Sequence, residues 1–163
     1  MKNIIEITLN EKEDYLNKFN NKRISKDLND YILEECKAMD LNDSIEIQIN
    51  TNFKMSEEEE NNLVDMIREN YGVDISDIES LLKKLYVLNS LMIFVGIVIL
   101  AIWFISSNIP VLSEFILIIG WILIWEGINN IMYQSVKNTI KIKRRKKLTN
   151  CKIVFNKNKM LEK

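Results

Sequence analysis

The sequence predicts an α+β membrane protein: a small cytoplasmic α/β domain, an antiparallel two-helix transmembrane hairpin, and a basic C-terminal tail with a short strand. Three observations predict it. Two long apolar runs occupy the middle of the chain, the segments flanking them carry opposite charge, and short alternating apolar stretches mark strands towards both ends.

In the first 80 residues, Ile4, Ile5, Ile7 and Leu9 form a β-rich segment, and Ser44 to Asn50 alternates strictly, with Ile45, Ile47 and Ile49 on one face. Both read as strands. Between them Ile24, Leu28, Tyr31, Ile32, Cys36 and Met39 recur at helical spacing, which predicts an amphipathic helix with one buried stripe that includes Cys36. Ser56-x-x-Glu59 has capping-box spacing and opens a helix bearing Leu63, Val64, Ile67 and Tyr71, which Gly72 is expected to close. Ser76-x-x-Glu79 repeats the device. The helix it launches runs through Leu81, Leu82 and Leu85 into the apolar region, so a rigid rod is expected to join the domain to the membrane.

Residues 81–136 make the hairpin. Leu85 to Ile105 is 21 residues without a charge, long enough at about 1.5 Å per residue to match a hydrocarbon core of about 30 Å. It begins behind a polar region and therefore reads as a span, not as a cleaved signal. A second span, residues 111–133, is interrupted by Glu114, Glu126, Asn129 and Asn130. The five residues Ser106 to Pro110 leave room only for a tight antiparallel connection, with Pro110 suited to the first turn of the second helix. Lys83 and Lys84 precede the first span and a dense basic cluster follows the second, whereas the connection has no Lys or Arg. The positive-inside rule then puts both termini in the cytoplasm of a bacterial cell, with the hairpin in the cytoplasmic membrane.

The tail, residues 137–163, contains Cys151 to Phe155, a β-prone run expected to return and pair with an N-terminal strand. Residues 1–80 carry 9 Lys and Arg against 20 Asp and Glu, and residues 81–163 carry 13 against 3, so the net charge of −1 conceals two halves of opposite sign. A core of this size is modest. Self-association is a reasonable source of further burial.

Several chemistries are excluded or unsupported. The chain has no His, so imidazole-dependent nucleophiles and His-ligated metals are absent, and its two cysteines, Cys36 and Cys151, are too far apart in sequence for a thiolate knuckle or CxxC pair. Glu57 to Glu60 fits the first turn of a helix better than a metal site. No catalytic constellation, metal site or cofactor is predicted, and an enzyme is the least favoured class.

Two clusters remain as candidate sites. Glu126, Asn129, Asn130 and Tyr133 fall at i, i+3, i+4 and i+7, a polar stripe on the cytoplasmic half of the second span, and Asn89 with Ser90 lies at similar depth on the first. An ionisable residue at such depth marks an ion pathway by default, and the competing role is hydrogen-bonded glue between helices. Two helices cannot enclose water. Conduction therefore requires several copies around an axis, a closed homo-oligomer such as a tetramer, with Asn89, Glu126, Asn129, Asn130 and Tyr133 as pore-lining candidates favouring cations. The second cluster is Lys141, Lys143, Arg144, Arg145, Lys146 and Lys147. It fixes topology and grips anionic lipid, or it binds a polyanion such as an oligonucleotide. Lys22, Arg23 and Lys26 form a smaller basic group in the acidic half.

Gly120-Trp121-x-x-x-Trp125-Glu126, followed by an aromatic, a basic run and a terminal strand, resembles a family of small bacterial two-transmembrane-helix proteins with an N-terminal α/β domain. The resemblance covers residues 80 to 155 by motif. The layout is also similar to the two-span Hailong-type effectors of anti-phage defence. That resemblance implies a homo-oligomeric channel held closed by a DNA oligomer, or related nucleotide signal, from a partner nucleotidyltransferase. It supplies no ligand residues. The alternative is a non-conducting membrane scaffold whose cytoplasmic domain recruits a partner protein.

Overall fold

The structure is a computed structural model and describes residues 2–105 and 110–157. It is α+β, with three α-helices, two of them long and apolar enough to cross a bilayer, and two small sheets. Two compact units divide the chain: Met1–Ser76 with Ile140–Lys163, and Asp77–Thr139.

The first unit is built on a parallel sheet of β1 (Lys2–Leu9), β4 (Ser44–Thr51) and β5 (Lys152–Lys157), in the order β1-β4-β5. The register aligns Ile5 with Ile47 and Ile153, and Ile7 with Ile49 and Phe155. Because side chains alternate across a strand, this brings the isoleucines onto one face. That face holds the core, where α1 (Lys26–Ala38) contributes Leu28, Ile32 and Cys36, and the start of α2 (Glu57–Ile105) contributes Leu63, Met66, Ile67 and Tyr71. The end of α3 (Pro110–Thr149) adds Leu148. The tail strand is thus a full partner of the central strand.

Local signals explain most boundaries. Ser25 starts α1, its hydroxyl accepting from the Leu28 amide at 3.2 Å. At the head of α2 the Glu59 amide donates to the Ser56 hydroxyl at 3.2 Å while the Ser56 amide donates to the Glu59 carboxylate at 3.0 Å, a reciprocal capping box. The Lys12 ammonium also pairs with Glu59. This holds the Glu59 carboxyl below, and the Lys12 amine above, their ordinary pKa values.

Three expectations need correction. The helix does not close at Gly72, nor does a new one start after Ser76: α2 is continuous from Glu57 to Ile105. Gly72 has no positive φ, so the left-handed cap is not formed, and α2 runs on through Val73–Ser80, mostly residues of middling helix propensity, to the stronger helix formers Leu81 to Leu85. The basic cluster, which the sequence placed in a tail without assigning it an element, forms the last turns of α3. Finally, Ile24 belongs not to α1 but to a hairpin of β2 (Leu16–Asn17) and β3 (Asn20–Ile24), which the Asn-rich sequence around Phe19 favours. The connection expected at Ser106 to Asn108 and Ile109 lies outside the described residues, while Pro110 is the first residue of α3.

Candidate functional site: a polar belt in the helical hairpin

In the second unit α2 and α3 run antiparallel, as their contacts show: Leu100 meets Gly120, Gly96 meets Ile124, Ile93 meets Gly127, and Tyr86 meets Ser135. The inward residues Asn89, Ile93, Gly96, Leu100 and Trp103 follow alternating steps of four and three, and on the other helix so do Gly120, Ile124, Gly127, Ile131 and Gln134. This is the heptad seam of two helices packed at a shallow angle. Glycine lets the backbones close in, since a Cβ on Gly96 would stand 2.9 Å from the Gly120 carbonyl oxygen.

Away from the seam the middle of each helix is largely apolar and bare. Val87, Leu91, Phe94, Phe104, Phe115, Trp121, Ile122 and Trp125 are each more than half exposed, and 11% of the most apolar 18 residues of either helix is buried within the chain. A core helix of a soluble protein would be covered. Exposed apolar surface on this scale needs lipid or another protein against it.

The predicted polar stripe divides between two faces. Asn89 is 4% exposed, turned into the seam, where its Nδ2 donates to the Leu85 carbonyl at 2.8 Å. It lines a cleft with Tyr86, Asn130, Gln134 and Ser135, in which the Tyr86 hydroxyl donates to the Ser135 hydroxyl at 2.8 Å. The cleft does not admit a water molecule. Glu126, Asn129 and Tyr133 instead lie on the outward face, and Ser90 is exposed too. Asn130 links the two groups, its Nδ2 donating to the Glu126 carboxylate at 3.1 Å. Below Tyr133, the Lys137 ammonium sits 5.7 Å from the ring centroid. Gln134 and Ser135 were not singled out from sequence, although counting the seam forward from Gly120 reaches Gln134.

The basic cluster belongs to the first unit, and Arg144, Arg145 and Lys147 are tied to residues distant in sequence there. The Arg145 Nε donates to the Asp74 carboxylate at 2.9 Å, the Arg144 guanidinium to the Lys37 carbonyl at 3.1 Å, and the Lys147 ammonium to the Asp43 carbonyl. Arg144, Arg145 and Lys147 are accordingly half-buried, whereas Lys141, Lys143 and Lys146 are exposed. Sequence patterning gives the charge but not which members are spent on folding. Cys36 and Cys151 are both buried thiols, and burial pushes Cys151 up to about 11.

Comparison with protein-family models, curated proteins and solved structures found no match.

Proposed function

We propose that the chain is an integral protein of the bacterial cytoplasmic membrane whose α2–α3 hairpin crosses the bilayer with both termini in the cytoplasm, and that several copies assemble into a cation-conducting channel. One observation carries it: Glu126, Asn129 and Tyr133 form an outward polar stripe in the stretch of α3 from Phe115 to Val136, where the other exposed residues are apolar. Lipid tolerates such a stripe poorly, since an acidic side chain near mid-bilayer costs at least about 2.5 kcal/mol. A second copy relieves that cost, and a closed ring of copies turns the stripe to a shared aqueous axis. Two helices are too few to enclose a water path, and the cleft beside Asn89 has no room for water, so the reading requires several copies.

In this role Glu126 sets cation preference by its charge, and Asn129 offers dipoles along the path. Ligand control, as in an anti-phage effector whose pore a DNA oligomer or nucleotide holds shut, would fall to Lys141 and Lys143, because Arg144, Arg145 and Lys147 hold the first unit together. Helical continuity through Ser76–Asp77 and Thr139–Ile140 provides a route by which a ligand could act on the hairpin.

The test is cation flux in liposomes. Purified full-length chain should leak K⁺, Glu126→Ala should change that leak, and an unchanged flux would refute the pore. The second reading, a non-conducting scaffold, is favoured by the internal satisfaction of Asn89 and of Tyr86 with Ser135. It predicts sealed liposomes and partner capture that survives every change in the stripe.

A further inference from the structure

The β2–β3 hairpin presents Phe19 at its tip, 93% exposed. Lys18 and Phe19 are the two residues between the strands, and two asparagine side chains fix the turn. The Phe19 amide donates to Asn17 Oδ1 at 2.9 Å and the Lys22 amide to Asn20 Oδ1 at 2.9 Å. The base is anchored in the core by Tyr15 and Ile24, each 4% exposed, and by the Ser25 amide donating to the Tyr15 carbonyl at 2.7 Å. A short, bulged stem thus holds a large apolar ring in water. Nothing in folding requires that.

The charge around the ring is equally out of place. From Tyr15 to Lys26 there are four cations, Lys18, Lys22, Arg23 and Lys26, and no acid, within a half of the chain where acids outnumber bases by two to one, and they outnumber the two acids, Glu13 and Asp27, that border the hollow beside the ring. Lys18, Lys22, Arg23 and Lys26 are all exposed. An exposed aromatic among cations fits an anionic lipid surface, where the ring enters the headgroup boundary and the cations meet phosphates. Single-stranded nucleic acid is less well matched. Its sites stack successive bases on several aromatics, and this tip offers one.

We propose that the Lys18–Phe19 tip is a docking element for anionic phospholipid. It rests on the membrane reading for its economy: one ring and four cations bind a free protein weakly, but a domain tethered to the bilayer meets the surface at high effective concentration. Each cation removed should lower the docking equilibrium constant about fivefold.

The experiment places a nitroxide at residue 21 (Asn21→Cys) in the full chain and reconstitutes it in phosphatidylcholine vesicles with or without phosphatidylglycerol. The parent chain, treated with the same label, corrects for reaction at the buried Cys36 and Cys151. Collision with a soluble nickel chelate is read, alongside carbonate extraction to score insertion. The expected result is at least fivefold shielding from nickel in anionic vesicles only, abolished by Phe19→Ser and by the triple change Lys18→Glu, Lys22→Glu, Arg23→Glu. Equal nickel access in both vesicles, shielding indifferent to Phe19→Ser, or shielding that requires an added oligonucleotide would overturn it. An inserted chain with a wet label refutes the docking element alone. A chain that carbonate extracts refutes the membrane reading; with a wet label it refutes the docking element too, whereas with a label shielded in anionic vesicles only, the tip binds lipid by itself and the docking element stands.

Discussion

Gly96 and Gly120 face each other across the hairpin so closely that a methyl group on Gly96 would lie 2.9 Å from the Gly120 carbonyl oxygen, and one on Gly120 would lie 3.2 Å from the Gly96 carbonyl oxygen. Backbone cannot yield cheaply. At Gly96 the added carbon also meets Ile124 Cγ1 at 2.7 Å, whereas at Gly120 the nearest atom is the end of the Leu100 side chain at 2.6 Å. Gly96→Ala should therefore destabilise the hairpin by about 1–3 kcal/mol and Gly120→Ala by less. Thermal unfolding in detergent measures both, and the order of the two is the sharper check.

Gly72 provides the opposite case. It lies inside α2 with no atom within 4 Å of an added Cβ. Gly72→Ala should stabilise the chain by about 0.5–1 kcal/mol, read as a higher Tm, because alanine loses less backbone freedom on entering a helix.

Tyr71 is fully buried, and its hydroxyl has no hydrogen-bond partner among the described residues. Burial raises its pKa, as expected where the phenolate would be poorly solvated. Tyr71→Phe removes the unsatisfied group and keeps the ring, so stability should rise by about 1 kcal/mol, whereas Tyr71→Ala should cost about 3–5 kcal/mol. Equilibrium denaturation of the two variants separates the hydroxyl from the ring.

The two ends of the pH range should be governed by different groups. Glu59 has a folded pKa held below its ordinary value by Lys12 and by the Ser56 amide, so its contribution is complete above the ordinary carboxylate pKa and lost as pH falls through the folded one. Glu59→Gln should flatten the acid limb of a stability curve. Cys151 is raised to about 11, so the stability it confers is complete below the ordinary thiol pKa and declines as pH climbs from about 9 towards 11. Cys151→Ser should lessen that decline, and neither thiol should react with Ellman's reagent at pH 8 before unfolding.

Neutralising the basic cluster should divide it by structural role. Arg145→Ala breaks the partly buried pair with Asp74 and should cost about 1 kcal/mol, while Lys141→Ala and Lys143→Ala, both exposed, should change stability by less than about 0.5 kcal/mol. Denaturation midpoints test this directly. Polyanion affinity should follow Lys141 and Lys143, with a salt dependence that shrinks as each charge is removed.

Legibility in sequence followed the range of the interaction. The alternation in Ser44–Thr51, the helix bearing Leu28, Ile32 and Cys36, and the Ser56–Glu59 box are local patterns, and each is present in the structure. The continuation of α2 through Gly72 was not legible, because a glycine ends a helix only if the chain takes up a left-handed turn there. The short β2–β3 hairpin has too few residues to show a period. In the belt, spacing put Glu126, Asn129, Asn130 and Tyr133 on one stripe, but only packing shows that Asn89 and Asn130 turn into the seam while Glu126, Asn129 and Tyr133 point outward. The same holds for Arg145, whose partner Asp74 is 71 residues away.

Whether the outward stripe meets water in the assembled protein can be measured by introducing cysteine singly at Glu126, Asn129, Tyr133, Ile122 and Asn89 in chain reconstituted into liposomes, and timing reaction with a charged, water-soluble thiosulfonate. A shared aqueous axis predicts fast modification at 126, 129 and 133, slow modification at 122 and 89, and altered cation flux once 126 is labelled. Reaction at 126 as slow as at 122, with liposomes sealed throughout, would contradict it.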